Sequence, residues 1–282
     1  MIVLTLDNIT SGEIIKRPSA TCKTPYVADV LLQDNVTTLG HTPALGCCGL
    51  SDKGSQVILS KINNNKTKCS HKVEIAKYIE NDKVIYIGIN PKLAENIAES
   101  CLKNNCLSFL QNCASFRREV TYLNSRFDFS GIDSDGKTFY MEIKNVPLAD
   151  YVDCVKKERK NHIEYINNCD INDKISYFPD GYRKNKDQVV SPRALKHIEE
   201  LEQIALTTEY RAILCFVIQR NDVKQFQPSN LDLTYKQAVQ KAYLNGVEIR
   251  TIQVEWNNKG EAMFIYKPLP IILFDTHGPF QT

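Results

Sequence analysis

No apolar run in this chain approaches the roughly 18 residues that a membrane-spanning helix needs, so no transmembrane helix is expected. The opening residues, MIVLTLDNIT, lack a basic region followed by a cleavable apolar core, so no secretion signal is expected either. Net charge is scant, a formal +2 over 282 residues. That excludes a strong global field for nonspecific polyanion binding and leaves room only for a local basic face. The ten cysteines contain no C-x-x-C pair, which removes zinc-ribbon and thioredoxin-like chemistry. Cys69-x-His71 stands alone, with no second pair of matching spacing. The thiols therefore read as reduced, several of them as core residues, and a cytoplasmic location is expected.

What is present is ordinary globular material: 43% apolar and 24% charged residues, in a chain long enough for one large domain or two modest ones. Residues 1–90 read as mostly β. YVADVLL (26–32), QVILSKI (56–62), HKVEIAKYI (71–79) and KVIYIGI (83–89) are separated by polar turns, the pattern of a small barrel or sandwich. In 71–79, Val73, Ile75, Lys77 and Ile79 alternate with Glu74, Ala76 and Tyr78. The four glycines of 39–54 predict a structured loop. Lys16-Arg17 and Lys61, Lys66, Lys68 and Lys72 are local basic clusters, read either as a solvated face or as a groove that tracks a nucleic-acid backbone.

From residue 90 the periodicity changes. Helices are predicted over 90–105, where Pro91 suits the first turn, over 191–205, with Ser191 as cap, and over 234–246. RAILCFVIQR (211–220) predicts a buried strand, with further strands at 247–256 and 262–268. The expected class is α/β (α+β), helices covering a mixed sheet, with a domain boundary near 90. The polar segment 150–174 reads as an inserted mobile loop or lid, and the tail from Pro270 has no assignable structure.

The stretch from Thr121 to Pro147 holds the chemistry. Two strands joined by a turn at Asp133–Lys137 would bring Asp128 beside Glu142, with Lys144 on the same strand face as Glu142 and Ile143 turned into the core. Two carboxylates and a lysine on one sheet edge suit a divalent metal and an activated water. A lone D…ExK pattern is more commonly a solvated hairpin with ordinary surface charges.

The motifs then fall in a recognisable order: IIKR (14–17), YVADVLL, GHTPALGCCGL (40–50), NSRFDF (124–129), MEIKNVPL (141–148), YFPDG (177–181), SPRALKHIEEL (191–201) and ILCFVIQRNDVKQFQP (213–228). In this series the chain resembles the sugar fermentation stimulation protein A family. The resemblance implies an N-terminal OB-like β-barrel, residues 1–90, that binds nucleic acid, followed by a PD-(D/E)xK nuclease-like domain, residues 91–282. It implies Asp128 and Glu142 as ligands of Mg²⁺ or Mn²⁺ and Lys144 as the catalytic partner of the attacking water. Arg126, Asp180, Arg193, His197, Gln219 and Arg220 fall in matched motifs and are expected to support the site or meet phosphate. Lys16, Arg17, His41, Lys61 and Lys72 are the candidate contacts to DNA, or to RNA. Two departures stand out: Ala44-Leu45 replaces the family's Asn-Thr, and the insert at 152–172 is longer than usual. Three functions fit: a metal-dependent nuclease, a DNA-binding regulator of sugar-metabolism genes without cleavage, and an enzyme for a small phosphorylated or nucleotide substrate.

Overall fold

A computed structural model describes residues 1–43, 49–63, 67–155, 157–179 and 189–274. The first part contributes strands β1 (Ile2–Thr5), β2 (Ile9–Lys16), β3 (Val27–Leu32), β4 (Thr37–His41), β5 (Gln56–Lys61), β6 (His71–Glu80) and β7 (Lys83–Gly88). The pairing order β4-β3-β2-β5-β6 is joined by an additional β4–β6 pairing, so these five strands form a closed circuit. Strand β4 takes the start of the glycine-rich segment, up to His41; Ala44 and Leu45 lie outside the described residues.

The expected alternation in β6 breaks midway. Ile58 pairs with Ile75 and Leu59 with Val73, which leaves Glu74 as a bulge. Val73 and Ile75 therefore enter different apolar clusters, and Ile79 ends 53% exposed. Buried Glu74 accepts from Ser60 Oγ at 2.6 Å and from Asn90 Nδ2 at 2.6 Å. Asn90 is the N-cap of the next helix, so the bulge fastens the circuit to it.

That helix, α1 (Pro91–Lys103), buries Leu93, Ala94, Ile97, Ala98 and Cys101, the face its spacing predicts. A meander follows: β8 (Ser115–Tyr122), β9 (Ser125–Ile132) and β10 (Thr138–Val146). Then come β11 (Ala149–Asp150), a short helix α2 (Ile163–Asn167), β12 (Lys174–Phe178), α3 (Pro192–Thr207), β13 (Arg211–Ile218), β14 (Val223–Pro228), α4 (Leu233–Leu244), β15 (Glu248–Trp256) and β16 (Glu261–Phe264). The central order is β7-β15-β13-β10-β9-β8, with β13 parallel to both β10 and β15. The protein is a mixed α+β structure dominated by sheet. Strands from before and after residue 90 pair with one another: β1 with β16, and β7 with β15 at Tyr86–Trp256.

Strands β11, β12 and β14 form a second small sheet. The segment expected to be a mobile loop is folded onto it. Asp153 accepts from Gln227 Nε2 at 2.9 Å, Ser229 Oγ at 2.9 Å and the Asn230 amide at 2.6 Å. The described start of the tail, residues 270–274, packs on the sheet: Ile271 bridges to Phe226, and Leu273 is buried in the core under α4; the rest of the tail lies outside the described residues.

Candidate active site

Strand β10 is buried on both faces, as a central strand between helices must be. Met141 and Ile143 enter the cluster containing Leu93 and Ile97 of α1, while Tyr140 and Val146 enter the one containing Ile198 and Leu201 of α3. Glu142 and Lys144 share the second face and are 3% and 8% exposed. A solvated hairpin is thereby excluded.

The β9–β10 ladder runs from Thr138–Ile132 to Met141–Phe129 and then opens. Beyond it the Ile143 amide donates to Asp128 Oδ2 at 2.7 Å, so a side-chain carboxylate replaces the missing backbone acceptor. This brings Asp128 and Glu142 together. Burial and the negative charge of Glu142 push the Asp128 carboxyl up to about 7. Burial pushes Glu142 the same way, but Lys144 and His197 outweigh it and hold Glu142 below its ordinary value. Lys144 Nζ donates to Glu142 Oε1 at 2.6 Å, and His197 Nδ1 bonds the same oxygen. Nζ and Nδ1 are 3.4 Å apart. Glu142 Oε2 is buried with no hydrogen-bond partner.

Two adjacent carboxylates, one ionised and one with raised proton affinity, are the donor set that a hard cation takes when solvent or substrate completes its shell. The unpartnered Oε2 fits that use. Among the described residues, no three His, Cys, Asp or Glu side chains converge as ligands.

The family model described as "Sugar fermentation stimulation protein RE domain" matches residues 92–260. The chain belongs to the sugar fermentation stimulation protein family. A family homolog from Brucella anthropi is 30% identical over 237 residues, covering 83% of this chain and 88% of the relative. One from Magnetococcus marinus is 30% identical over 226 residues, covering 79% and 82%. One from Clostridium botulinum is 29% identical over 244 residues, covering 86% and 88%. The solved structure of Pyrococcus furiosus SfsA in complex with Ca²⁺ superposes with a TM-score of 0.73 over 96% of this chain and 99% of that one, at 18% identity. That likeness shows the shared fold.

Other candidates from the motifs are scattered. Arg126 is exposed and 3.5 Å from Glu119. Arg193 is exposed at the start of α3, and Asp180 lies outside the described residues. Gln219 is fully buried: its Nε2 donates to Asn145 Oδ1 at 2.6 Å, and its Oε1 accepts from Trp256 Nε1 at 3.0 Å. Arg220 is also buried, its guanidinium held by Asp222 and the Pro147 carbonyl. Both residues brace the sheet beyond the end of β13.

At one end of the strand circuit, His41 is in register with Lys72, and His71 with Lys61. Lys72 also reaches Glu74 at 3.1 Å. Burial, and then the charge of Lys72, hold His41 below its ordinary value. Lys16 is exposed, whereas Arg17 is committed to Pro25 O, Ser51 and Asp52.

Glu95 of α1 also acts on this site: its charge adds to the rise at Asp128. Arg118 of β8 holds Glu95 and Glu99, each at 2.6 Å. The helical spacing of the two glutamates signals their shared face, but nothing local to Arg118 signals its part. No hydrogen bond or ion pair joins 149–174 to Asp128, Glu142, Lys144 or His197 among the described residues, and no described helix is long and apolar enough to cross a membrane.

Proposed function

We propose that this protein is a divalent-metal-dependent phosphodiesterase acting on nucleic acid. The observation that carries this reading is the convergence of Asp128 and Glu142, with Lys144, at the opening of the β9–β10 ladder. We read the closed five-strand circuit as an OB-like barrel and the central sheet with α1 and α3 as a PD-(D/E)xK nuclease-like fold. The "RE domain" of the family description that matches residues 92–260 supports the second of these readings, and the Ca²⁺ of the solved relative supports a divalent cation.

In this reading Asp128 and Glu142 hold Mg²⁺ or Mn²⁺. A bound ion of this kind lowers the pKa of its water and draws charge from a phosphoryl oxygen. Lys144 orients the nucleophile and offsets charge as the phosphodiester is attacked. His197 fixes the Glu142 carboxylate through Oε1. The circuit's basic end, with Lys61, Lys72 and His41, tracks the backbone of DNA or RNA.

The test is cleavage of single- and double-stranded DNA and RNA with Mg²⁺ or Mn²⁺. Activity should vanish in an Asp128→Ala/Glu142→Ala variant. Equal background in both proteins would refute catalysis.

A second reading, a DNA-binding regulator without cleavage, is favoured by one feature. Lys144 and His197 already compensate Glu142, so the cluster can stand as a structural unit. Salt-dependent binding that survives loss of both carboxylates, with no product, would establish it.

A further inference from the structure

Among the described residues, two of the buried polar atoms that lack hydrogen-bond partners are complementary. One is Glu142 Oε2, an acceptor; the other is the Tyr235 hydroxyl, which can donate. Tyr235 is fully buried on α4, in the same apolar cluster as Ile198 of α3 and Phe216 of β13. Its ring lies 5.5 Å from Phe178, whose ring lies 5.8 Å from Phe216. Phe216 is in register with Lys144 and Leu214 with Glu142, and Glu142 is bonded by His197 of α3, the helix that packs against Tyr235's helix α4. The Glu142 charge is felt at the phenol, which, after burial, it pushes further upward. A buried hydroxyl and a buried carboxylate oxygen each lose stability when left unbonded. One water between them satisfies both.

We propose that Tyr235 is a positioning residue of the carboxylate site, its hydroxyl donating to a buried water that donates in turn to Glu142 Oε2. Glu142 is then held through both oxygens, by Lys144 and His197 on Oε1 and by this water on Oε2. A carboxylate oxygen has lone pairs for both a water and a cation, so the arrangement aims Glu142 without consuming it. The link rests on Tyr235 and Glu142 alone, while its consequence for a cation rests on the proposed metal site.

The test begins without metal. Unfolding equilibria of wild type, Tyr235→Phe, Glu142→Leu, which removes both carboxylate oxygens, and the double variant form a cycle. A shared water predicts a coupling factor of roughly fivefold or more; additivity overturns the proposal. If Glu142→Leu does not fold, Tyr235→Phe alone decides. Removing an unpartnered hydroxyl raises the unfolding midpoint and overturns the proposal, whereas removing a bonded one lowers it. Mn²⁺ titration of wild type and Tyr235→Phe then reads positioning, with affinity expected to fall about tenfold. Unchanged affinity in a wild type that binds Mn²⁺ overturns the positioning role. A wild type that binds no Mn²⁺ refutes the metal site instead, and the metal-free cycle still decides the Tyr235 link.

Discussion

The Ile143 amide donates to Asp128 Oδ2 at 2.7 Å, where the neighbouring strand would otherwise supply a carbonyl. Asp128 therefore has a structural duty besides any chemical one, and substitutions can separate the two. Asp128→Ala strips the acceptor from a buried amide and should cost about 1–3 kcal/mol. Asp128→Asn keeps an acceptor oxygen at that position and should retain most of the stability. Both variants should lose divalent-ion binding. Denaturant titration with Mn²⁺ binding measures the split, and equal stability of the two variants would show that the amide bond contributes nothing.

The raised Asp128 pKa makes stability depend on pH with a definite sign. Between the unfolded value near 3.8 and the folded value of about 7, the folded state holds a proton that the unfolded chain has released. Metal-free stability from this group is therefore greatest at the acid end of that window and declines as pH rises, by about 1.4 kcal/mol per unit. Asp128→Asn should lack this decline, so the difference between variant and wild type isolates it. Mn²⁺ competes with the same proton, so its affinity should climb toward pH 7 and flatten above it. A pH-independent affinity across 5 to 7 would contradict the assignment.

Much of this site was legible because its residues lie close in sequence and strands have a period of two. Asp128, the turn at Asp133–Lys137 and the Glu142/Lys144 face all follow from local pattern. His197 was visible only as a motif residue on a helix, because its approach to Glu142 depends on how α3 packs on β10. Gln219 and Arg220 show the opposite case: their motif gave no sign that both would be buried as braces. In β6, alternation misplaced Ile79 because a bulge at Glu74 has no local signature. Strand β12 and the second sheet escaped notice because five short, mixed-polarity residues resemble a turn-rich connection.

Buried charge away from the site yields a third prediction. Asp222 is fully buried and bonds Arg220 at 2.6 and 2.7 Å and Lys174 at 2.7 Å; Lys174 also meets Glu80 at 2.5 Å. The cluster joins the small sheet to the tip of the β6–β7 hairpin. Asp222→Ala leaves two buried cations underpaired and should cost about 3–5 kcal/mol. Mn²⁺ affinity of the remaining folded protein should be unchanged, since none of these groups bonds to the carboxylate pair. Thermal unfolding and Mn²⁺ titration check the two halves of the claim separately.

Gly88 supplies the last prediction. Its amide donates to the Gln219 carbonyl at 3.1 Å, and a Cβ there would lie 2.0 Å from Gln219 Oε1 and 2.6 Å from Trp256 Nε1. The glycine is required by close approach between β7 and the end of β13, and Gln219 in turn holds Asn145, the residue after Lys144. Gly88→Ala must displace the Gln219 amide and loosen its bonds to Trp256 and Asn145. The expected cost is about 1–3 kcal/mol, as for an overpacked core. Gln219→Ala alone also removes those bonds, but it vacates the space that the new methyl needs. The double variant should therefore be more stable than the sum of the single losses predicts, by roughly 1 kcal/mol. Strict additivity in denaturant unfolding would show that the strand can move to accept the methyl, so that Gln219 does not clamp this seam.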